Sequence, residues 1–271
     1  MKTLFVSDLD GTLLNEESAL SSETIEAIHR VYEKGDSFVI ATGRHQKDIE
    51  NIARIIGRPI GMIGCNGATV VTADGISLGE HSIEPALVKE ILSITLPDSI
   101  YINLYTADNW YTLRHNDKLS AYSVEGQFSY SVVSLEFLQE QKVIKFFLWG
   151  ESSPTIHSEL EVVKDIIEAK VGSRVDSFFS HTSCLEVMPP KVNKGSAVAL
   201  LCDAIGFKQN QIIAFGDGEN DIEMLNFANT ALVMGNSPES VQKKLPQATL
   251  IGNAHENGVA QWINSYYSTT S

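Results

Sequence analysis

Apolar and polar positions follow two different rhythms along the chain. Residues 3–7 form a short apolar run that reads as a buried strand and stops at Asp8. Ser21 is a candidate N-cap for a helix carrying Ile25, Ile28 and Val31 at spacing three, ended by Gly35. Ser37–Ala41 reads as a second buried strand and stops at Thr42-Gly43-Arg44. Ile49, Ile52, Ala53 and Ile56 place a second helix ahead of Gly57 and Pro59, with His45 expected only to open it. Residues 60–64 are a third strand, reaching Cys65-Asn66-Gly67, and Ala73-Asp74-Gly75 predicts a hairpin turn. Buried strands separated by amphipathic helices predict a parallel, doubly wound sheet.

From Pro85 the rhythm changes. A helix over 85–96 precedes strands at 100–106 and 110–114, joined by Ala107-Asp108-Asn109. A short helix over 117–125 precedes strands at 130–135 and 143–149. A helix over 155–171 precedes strands at 174–180 and 184–188. This repeated helix–strand–strand order predicts antiparallel pairing and a separate α+β unit. From Asn193 the parallel pattern returns: a helix, a strand at 212–215, a helix, a strand at 231–234 and a last short strand at 249–251. The predicted fold class is α/β, a doubly wound parallel core of residues 1–82 and 188–271 with an inserted unit at 83–187. Glu84-Pro85 and Pro189-Pro190 are the predicted hinges, and the tail 268–271 is expected to be disordered. No repeat is visible.

Charge narrows the picture. The 271 residues carry 34 acidic and 20 basic side chains, a formal net charge of −14, with 43% hydrophobic residues. That mix belongs to a folded soluble chain. The negative balance argues against nucleic-acid and anionic-membrane partners, which call for basic patches. The longest apolar run, 197–202, falls far short of the roughly 20 residues that cross a bilayer. Lys2 and Leu4-Phe5-Val6 ahead of Asp8 are too short and too acidic for a signal peptide. Cys65, Cys184 and Cys202, odd in number and widely spaced, predict reduced structural thiols in a cytoplasmic protein.

In an open parallel sheet, ligands bind outside the carboxyl ends of the strands. Those ends carry Asp8-Leu9-Asp10-Gly11-Thr12, Thr42-Gly43-Arg44, Asn66-Gly67 and Asp217-Gly218-Glu219-Asn220-Asp221. At an effective dielectric of about 20, two unit charges 4 Å apart repel by roughly 4 kcal/mol, so such a cluster requires a counter-charge. Oxygen donors without a His or Cys cluster suit a hard divalent cation, and Mg²⁺ best where phosphate completes its shell. An EF-hand loop is excluded by spacing. Counted from Asp8, the positions that need Gly and Glu hold Leu13 and Ala19; counted from Asp217 they hold Ile222 and Ala228. Lys194, at a helix start, opposes the helix dipole unless an anion lies between them. The Thr42 hydroxyl and the Gly43 backbone extend that anion site.

Taken in order, Asp8-Leu9-Asp10-Gly11-Thr12, Thr42, Lys194 and Gly216-Asp217-Gly218-Glu219-Asn220-Asp221 resemble the four motifs of the haloacid dehalogenase-like (HAD) phosphatase superfamily. The insertion resembles its C2B type of cap. Ala41-Thr42-Gly43-Arg44-His45, Cys184-Leu185-Glu186-Val187, Asn193-Lys194-Gly195, Glu223-Met224-Leu225 and Met234-Gly235-Asn236 resemble the Cof-type hydrolases. The resemblance implies a Mg²⁺-dependent phosphatase of small phosphorylated metabolites. Asp8 would be the nucleophile that forms an aspartyl-phosphate, and Asp10 the general acid and then base. Mg²⁺ would sit on the Asp8 carboxylate, the Asp10 backbone carbonyl and Asp217, with Asp221 behind them orienting metal-bound water or Lys194. The Leu9 backbone, Thr42, Gly43, Lys194 and Asn220 would hold the phosphoryl oxygens.

The cap would exclude water and supply specificity contacts, from among Trp110, Arg114, His115, Lys118, Tyr122, Lys145 and His181, with Arg44 and Asn66 as substrate contacts from the core. Sugar phosphates, pyridoxal phosphate and a thiamine-precursor pyrimidine pyrophosphate are the substrates the Cof-type resemblance implies. A phosphomutase of the same superfamily is the nearest rival reading. A receiver-type signalling module would need its acceptor Asp near residues 60–65, where there is no carboxylate. A phosphate-binding protein without turnover is opposed by the Asp8/Asp10 pair.

Overall fold

The computed structural model describes residues 2–122 and 128–269. The end of the helix predicted over 117–125, residues 270–271 of the tail and the side chain of Tyr122 lie outside the described residues. The chain divides into two compact units, one built from the residues up to Gly79 and from Asn193 onward, the other from Glu80–Val192.

The N-terminal stretch runs β1 (Leu4–Ser7), α1 (Ser22–Glu33), β2 (Ser37–Ala41), α2 (Gln46–Ile56), β3 (Gly61–Gly64), β4 (Thr69–Val71) and β5 (Ser77–Glu80). The Ser21 hydroxyl accepts from the Thr24 N–H at 3.0 Å and starts α1. His45 does the same for α2, its Nδ1 accepting from the Lys47 N–H at 3.1 Å, so its role is a cap. The second unit holds α3 (Pro85–Leu92), β6 (Ile100–Tyr105), β7 (Trp110–Thr112), α4 (Asp117–Tyr122), β8 (Tyr130–Val132), α5 (Leu135–Gln139), β9 (Lys145–Gly150), α6 (Ile156–Val171), β10 (Asp176–His181) and β11 (Cys184–Met188). The first unit resumes with α7 (Lys194–Ile205), β12 (Ile212–Gly216), α8 (Ile222–Phe227), β13 (Thr230–Val233), α9 (Glu239–Lys244), β14 (Thr249–Leu250) and α10 (Gly258–Thr269).

In the first unit the strand order is β14-β13-β12-β1-β2-β3-β4-β5. The run from β14 to β3 is parallel, and β4 pairs antiparallel to β3. Residue alternation splits the central strands between two helical layers. Phe5, Phe38, Ile40 and Phe215 join one core with Ile28 and Ile263; Leu4, Val6, Val39 and Ala214 join the other with Val198 and Leu201. The doubly wound core predicted from sequence is present. The sequence reading omitted α9 and α10. Ser268 and Thr269 end α10 instead of lying in a loose tail, because their hydroxyls bond back to the carbonyls of Asn264 and Ser265.

The second unit forms a sheet of order β10-β11-β9-β6-β7-β8. Its pairs are antiparallel except β7 with β8, which run parallel. The strand predicted over 130–135 is shorter than expected because Ser134 caps α5, accepting from the Phe137 N–H at 3.3 Å. Pro85 is the first residue of α3, and the Ile83 N–H bonds the Val143 carbonyl within this unit. Among the described residues no helix is long and apolar enough to cross a membrane. Cys65, Cys184 and Cys202 form no disulfide among the described residues, and Cys65 and Cys202 are buried.

Candidate active site

β1 lies between β2 and β12, so the side chains just past its carboxyl end meet those leaving both neighbours. The Asp8 N–H continues the ladder by donating to the Phe215 carbonyl at 3.0 Å, and the residue is 5% exposed. The chain then takes a wide turn over Leu9–Leu13, with Gly11 at φ +76°. A Cβ on Gly11 would lie 2.4 Å from an Asp217 carboxylate oxygen, so the loops after β1 and β12 close on each other only with glycine there. Thr12 secures the approach, its hydroxyl donating to Asp217 Oδ1 at 2.9 Å.

Lys194 opens α7, which Asn193 and Ser196 cap reciprocally. Its Nζ donates to Asp8 Oδ1 and to Asp221 Oδ1, each at 2.6 Å, and the lysine and Asp221 are fully buried. The other Asp221 oxygen accepts the backbone N–H groups of Asp217 and Gly218 at 3.0 and 2.9 Å. Asp221 thus fixes both the lysine and the loop that carries Asp217. The anion that the sequence called for beside Lys194 is supplied by two carboxylates of the chain itself.

One carboxylate oxygen each from Asp8, Asp217 and Asp221 lies within 4.8 Å of the others. Burial pushes the Asp8 carboxyl well above the usual range; Lys194 pulls it down, but Asp221, Asp10 and Asp217 push it up again. Burial and Asp221 likewise push Asp217 up to about 6, against the opposing hydrogen bond from Thr12. Burial alone would lower the Lys194 ammonium, yet Asp221 and Asp8 hold it above its ordinary value. A buried, all-oxygen cluster of this sign fits a hard divalent cation by donor chemistry and by charge.

Other predicted residues take distinct places. The Asp10 carboxylate stands apart from the cluster, half-exposed and paired with Arg44. Thr42 is buried, and its oxygen accepts the Arg44 N–H at 3.1 Å, which leaves its own proton to donate. Asn66 is buried at φ +54° and accepts from Asn220 Nδ2 at 2.9 Å, so these two amides meet each other. A Cβ on Gly43 would lie 3.2 Å from Asn66 Oδ1, which places its backbone beside the same amide. The Leu9 side chain is in the core.

Two residues that sequence reasoning did not assign to the site strap its loops. Asn236 Nδ2 donates to the Gly11 carbonyl at 2.8 Å, and the Ser237 hydroxyl to the Asp217 carbonyl at 2.6 Å. The available signal was their position, just past the carboxyl end of another parallel strand, β13.

Candidates from the second unit have partners inside it. Trp110 donates to Asn103 Oδ1, Arg114 binds the carbonyls of Asp98 and Ile100, and His115 meets Asp117. Lys118 pairs with Glu151, Lys145 with Glu186, and His181 with the Ser183 hydroxyl.

Residues 5–263 match the family described as haloacid dehalogenase-like hydrolase. A Yersinia pestis protein named HMP-PP phosphatase is 33% identical over 270 residues, covering 99% of this chain and 97% of the relative. A protein of the same name from Yersinia enterocolitica is 30% identical over 269 residues, with the same coverage. A solved structure from Thermotoga maritima matches at TM-score 0.84 and 26% identity, over 98% of this chain and 97% of that one. A HAD subclass IIB sugar phosphatase shares the fold at TM-score 0.81 and 22% identity, over 98% of this chain and 99% of its own. The receiver-type reading falls away. The chain belongs to the haloacid dehalogenase-like hydrolases and is an enzyme of their phosphatase branch.

Proposed function

We propose that this enzyme is a Mg²⁺-dependent phosphatase of small phosphorylated metabolites that passes through an aspartyl-phosphate on Asp8. The observation that carries the reading is the buried Asp8 carboxylate, gripped through one oxygen by Lys194 with Asp217 beside it. That grip fixes the orientation of the other oxygen, the attacking atom. A carboxylate nucleophile splits one hard displacement into two easier ones. Asp10 protonates the departing oxygen in the first, and takes a proton from the attacking water in the second. Mg²⁺ on Asp8, the Asp10 backbone carbonyl and Asp217 would neutralise charge and polarise the P–O bonds. The Thr42 hydroxyl, the backbone at Leu9 and Gly43, Lys194 and Asn220 hold the phosphoryl oxygens, where positioning and charge carry most of the rate. Selection among substrates falls to the Glu80–Val192 unit in the same proposal.

HMP-PP, named in the Yersinia relatives, is the first substrate to test, beside pyridoxal phosphate, sugar phosphates and phenyl phosphate. Phosphate release should require Mg²⁺ and cease with chelator. Turnover that continues undiminished in chelator would contradict the metal, and no release from any of these compounds would contradict the phosphatase reading.

A further inference from the structure

Asp217 stands on the loop past β12, and three separate contacts fix it. Its N–H donates to Asp221 Oδ2 at 3.0 Å, its Oδ1 accepts the Thr12 hydroxyl at 2.9 Å, and its carbonyl accepts the Ser237 hydroxyl at 2.6 Å. The first two partners lie on the loops that follow β12 and β1. The third comes from the turn past β13. Ser237 is buried, and its own backbone is held on both sides. Its N–H donates to the Met234 carbonyl at 3.0 Å, and its carbonyl accepts from Gln242 Nε2 at 2.8 Å. The Met234 N–H in turn donates to the Gly216 carbonyl at 3.0 Å, so the base of the strap is tied to β12 next to Asp217.

The preceding residue holds the facing loop. Asn236 Nδ2 donates to the Gly11 carbonyl, part of the peptide that leads into Thr12, and Asn236 Oδ1 accepts the Ala254 N–H at 2.9 Å. One two-residue segment therefore grips both loops that meet at the Thr12–Asp217 bond, and Gly11 leaves no slack between them. Without that grip, the like-charged Asp8, Asp217 and Asp221 would tend to spread apart. An acidic cluster held at fixed spacing discriminates cations by size. Mg²⁺ takes its ligands at about 2.0–2.1 Å in a near-ideal octahedron, and Ca²⁺ at about 2.3–2.6 Å in a looser shell that adapts to its donors. We propose that Asn236 and Ser237 are positioning residues that keep the cluster tight and so favour Mg²⁺ over Ca²⁺. Each acts through a peptide group, Ser237 on that of Asp217 and Asn236 on that of Gly11. The inference rests on the cation site proposed above.

Calorimetric titration of the metal-free protein with Mg²⁺ and with Ca²⁺ tests it without any turnover. Ser237→Ala should raise the Mg²⁺ Kd about ten- to hundredfold, the usual effect of freeing a metal ligand from its outer support. The Ca²⁺ Kd should rise less, so the preference for Mg²⁺ shrinks. Asn236→Ala should act in the same sense and more weakly, because this residue is exposed and water can take over its bonds. Ser237→Thr and Ser237→Val introduce nearly the same shape. Only the threonine should keep Mg²⁺ affinity close to that of the wild type, because it retains the hydroxyl. Lower melting temperatures with an unchanged ratio of Mg²⁺ to Ca²⁺ Kd would make the straps purely structural and overturn the proposal. A valine variant that binds Mg²⁺ as the threonine one does would overturn it too. A wild type that takes up no Mg²⁺, or whose Mg²⁺ binding survives Asp217→Asn, would instead overturn the cation site itself, and this inference with it.

Discussion

Each unit of the molecule buries a lysine against carboxylate, and the settings differ. Lys145 of β9 meets Glu186 of β11 at 2.8 Å, across adjacent strands of an antiparallel sheet and near the rings of Tyr105 and Phe147. Lys194 meets Asp8 and Asp221 beyond the strand ends of a parallel sheet, with Asp217 beside them. Helices cover both faces of the parallel sheet, so polar groups gather only at its ends, and those from several strands converge there. An antiparallel sheet packs its helices on one face and leaves the other to carry polar groups mid-strand. One arrangement makes a pair and the other a cluster. A cluster with excess negative charge is the one that has chemistry to offer.

The sharpest way to break that contrast is to remove each lysine. Lys194→Met leaves Asp8 and Asp221 buried without their cation, and should cost about 3–5 kcal/mol of stability in denaturant titration. It should also lower phosphate release by ~10²–10³-fold. Adding Asp221→Asn should recover much of the stability and little of the turnover; recovery of both would mean that Lys194 is only structural. Lys145→Met should destabilise by about 3–5 kcal/mol as well, because the buried Glu186 loses its cation. There, Lys145→Met with Glu186→Leu should return to within about 1 kcal/mol of the wild type. A double variant as unstable as the single one would show that the pair supports more than itself.

A smaller effect concerns protons and metal. Burial and Asp221 push the Asp217 carboxyl up to about 6 in the folded protein, from an ordinary value of 3.8. Between those values the folded form keeps a proton that the unfolded chain has released. The metal-free protein should therefore lose stability as pH rises through this window, the contribution being complete only below it. Mg²⁺ requires the deprotonated carboxylates, so a fixed Mg²⁺ concentration should raise the melting temperature more at neutral pH than at about pH 5. Equal shifts at both would contradict the cluster as the metal site.

Much of the parallel unit is legible in the sequence because its central strands are apolar runs that stop at Asp8, Thr42 and Asp217. Those stops coincide with the strand ends that converge. The partners are less legible. Asp10 and Arg44 lie on different loops, and only the parallel pairing of β1 with β2 brings them together. Lys194 could be read as a cation near an anion, and Asp221 as a group orienting it or metal-bound water, but the direct grip of Lys194 on Asp8 could not. Helix α10 was missed because its identity lies in packing: Trp262 and Tyr266 set their rings against Phe215 and Phe5. The parallel pairing of β7 with β8 likewise follows from how the strands come together, which alternation alone does not encode.

The central claim is that Asp8 carries the phosphoryl group in transit. Acid quench of the enzyme within one turnover of phenyl phosphate in Mg²⁺, then borohydride reduction and peptide mass analysis, tests it directly. The account predicts homoserine in place of Asp8, and none in an Asp8→Asn variant. An unmodified Asp8, in enzyme that turns over under the same conditions, would contradict it.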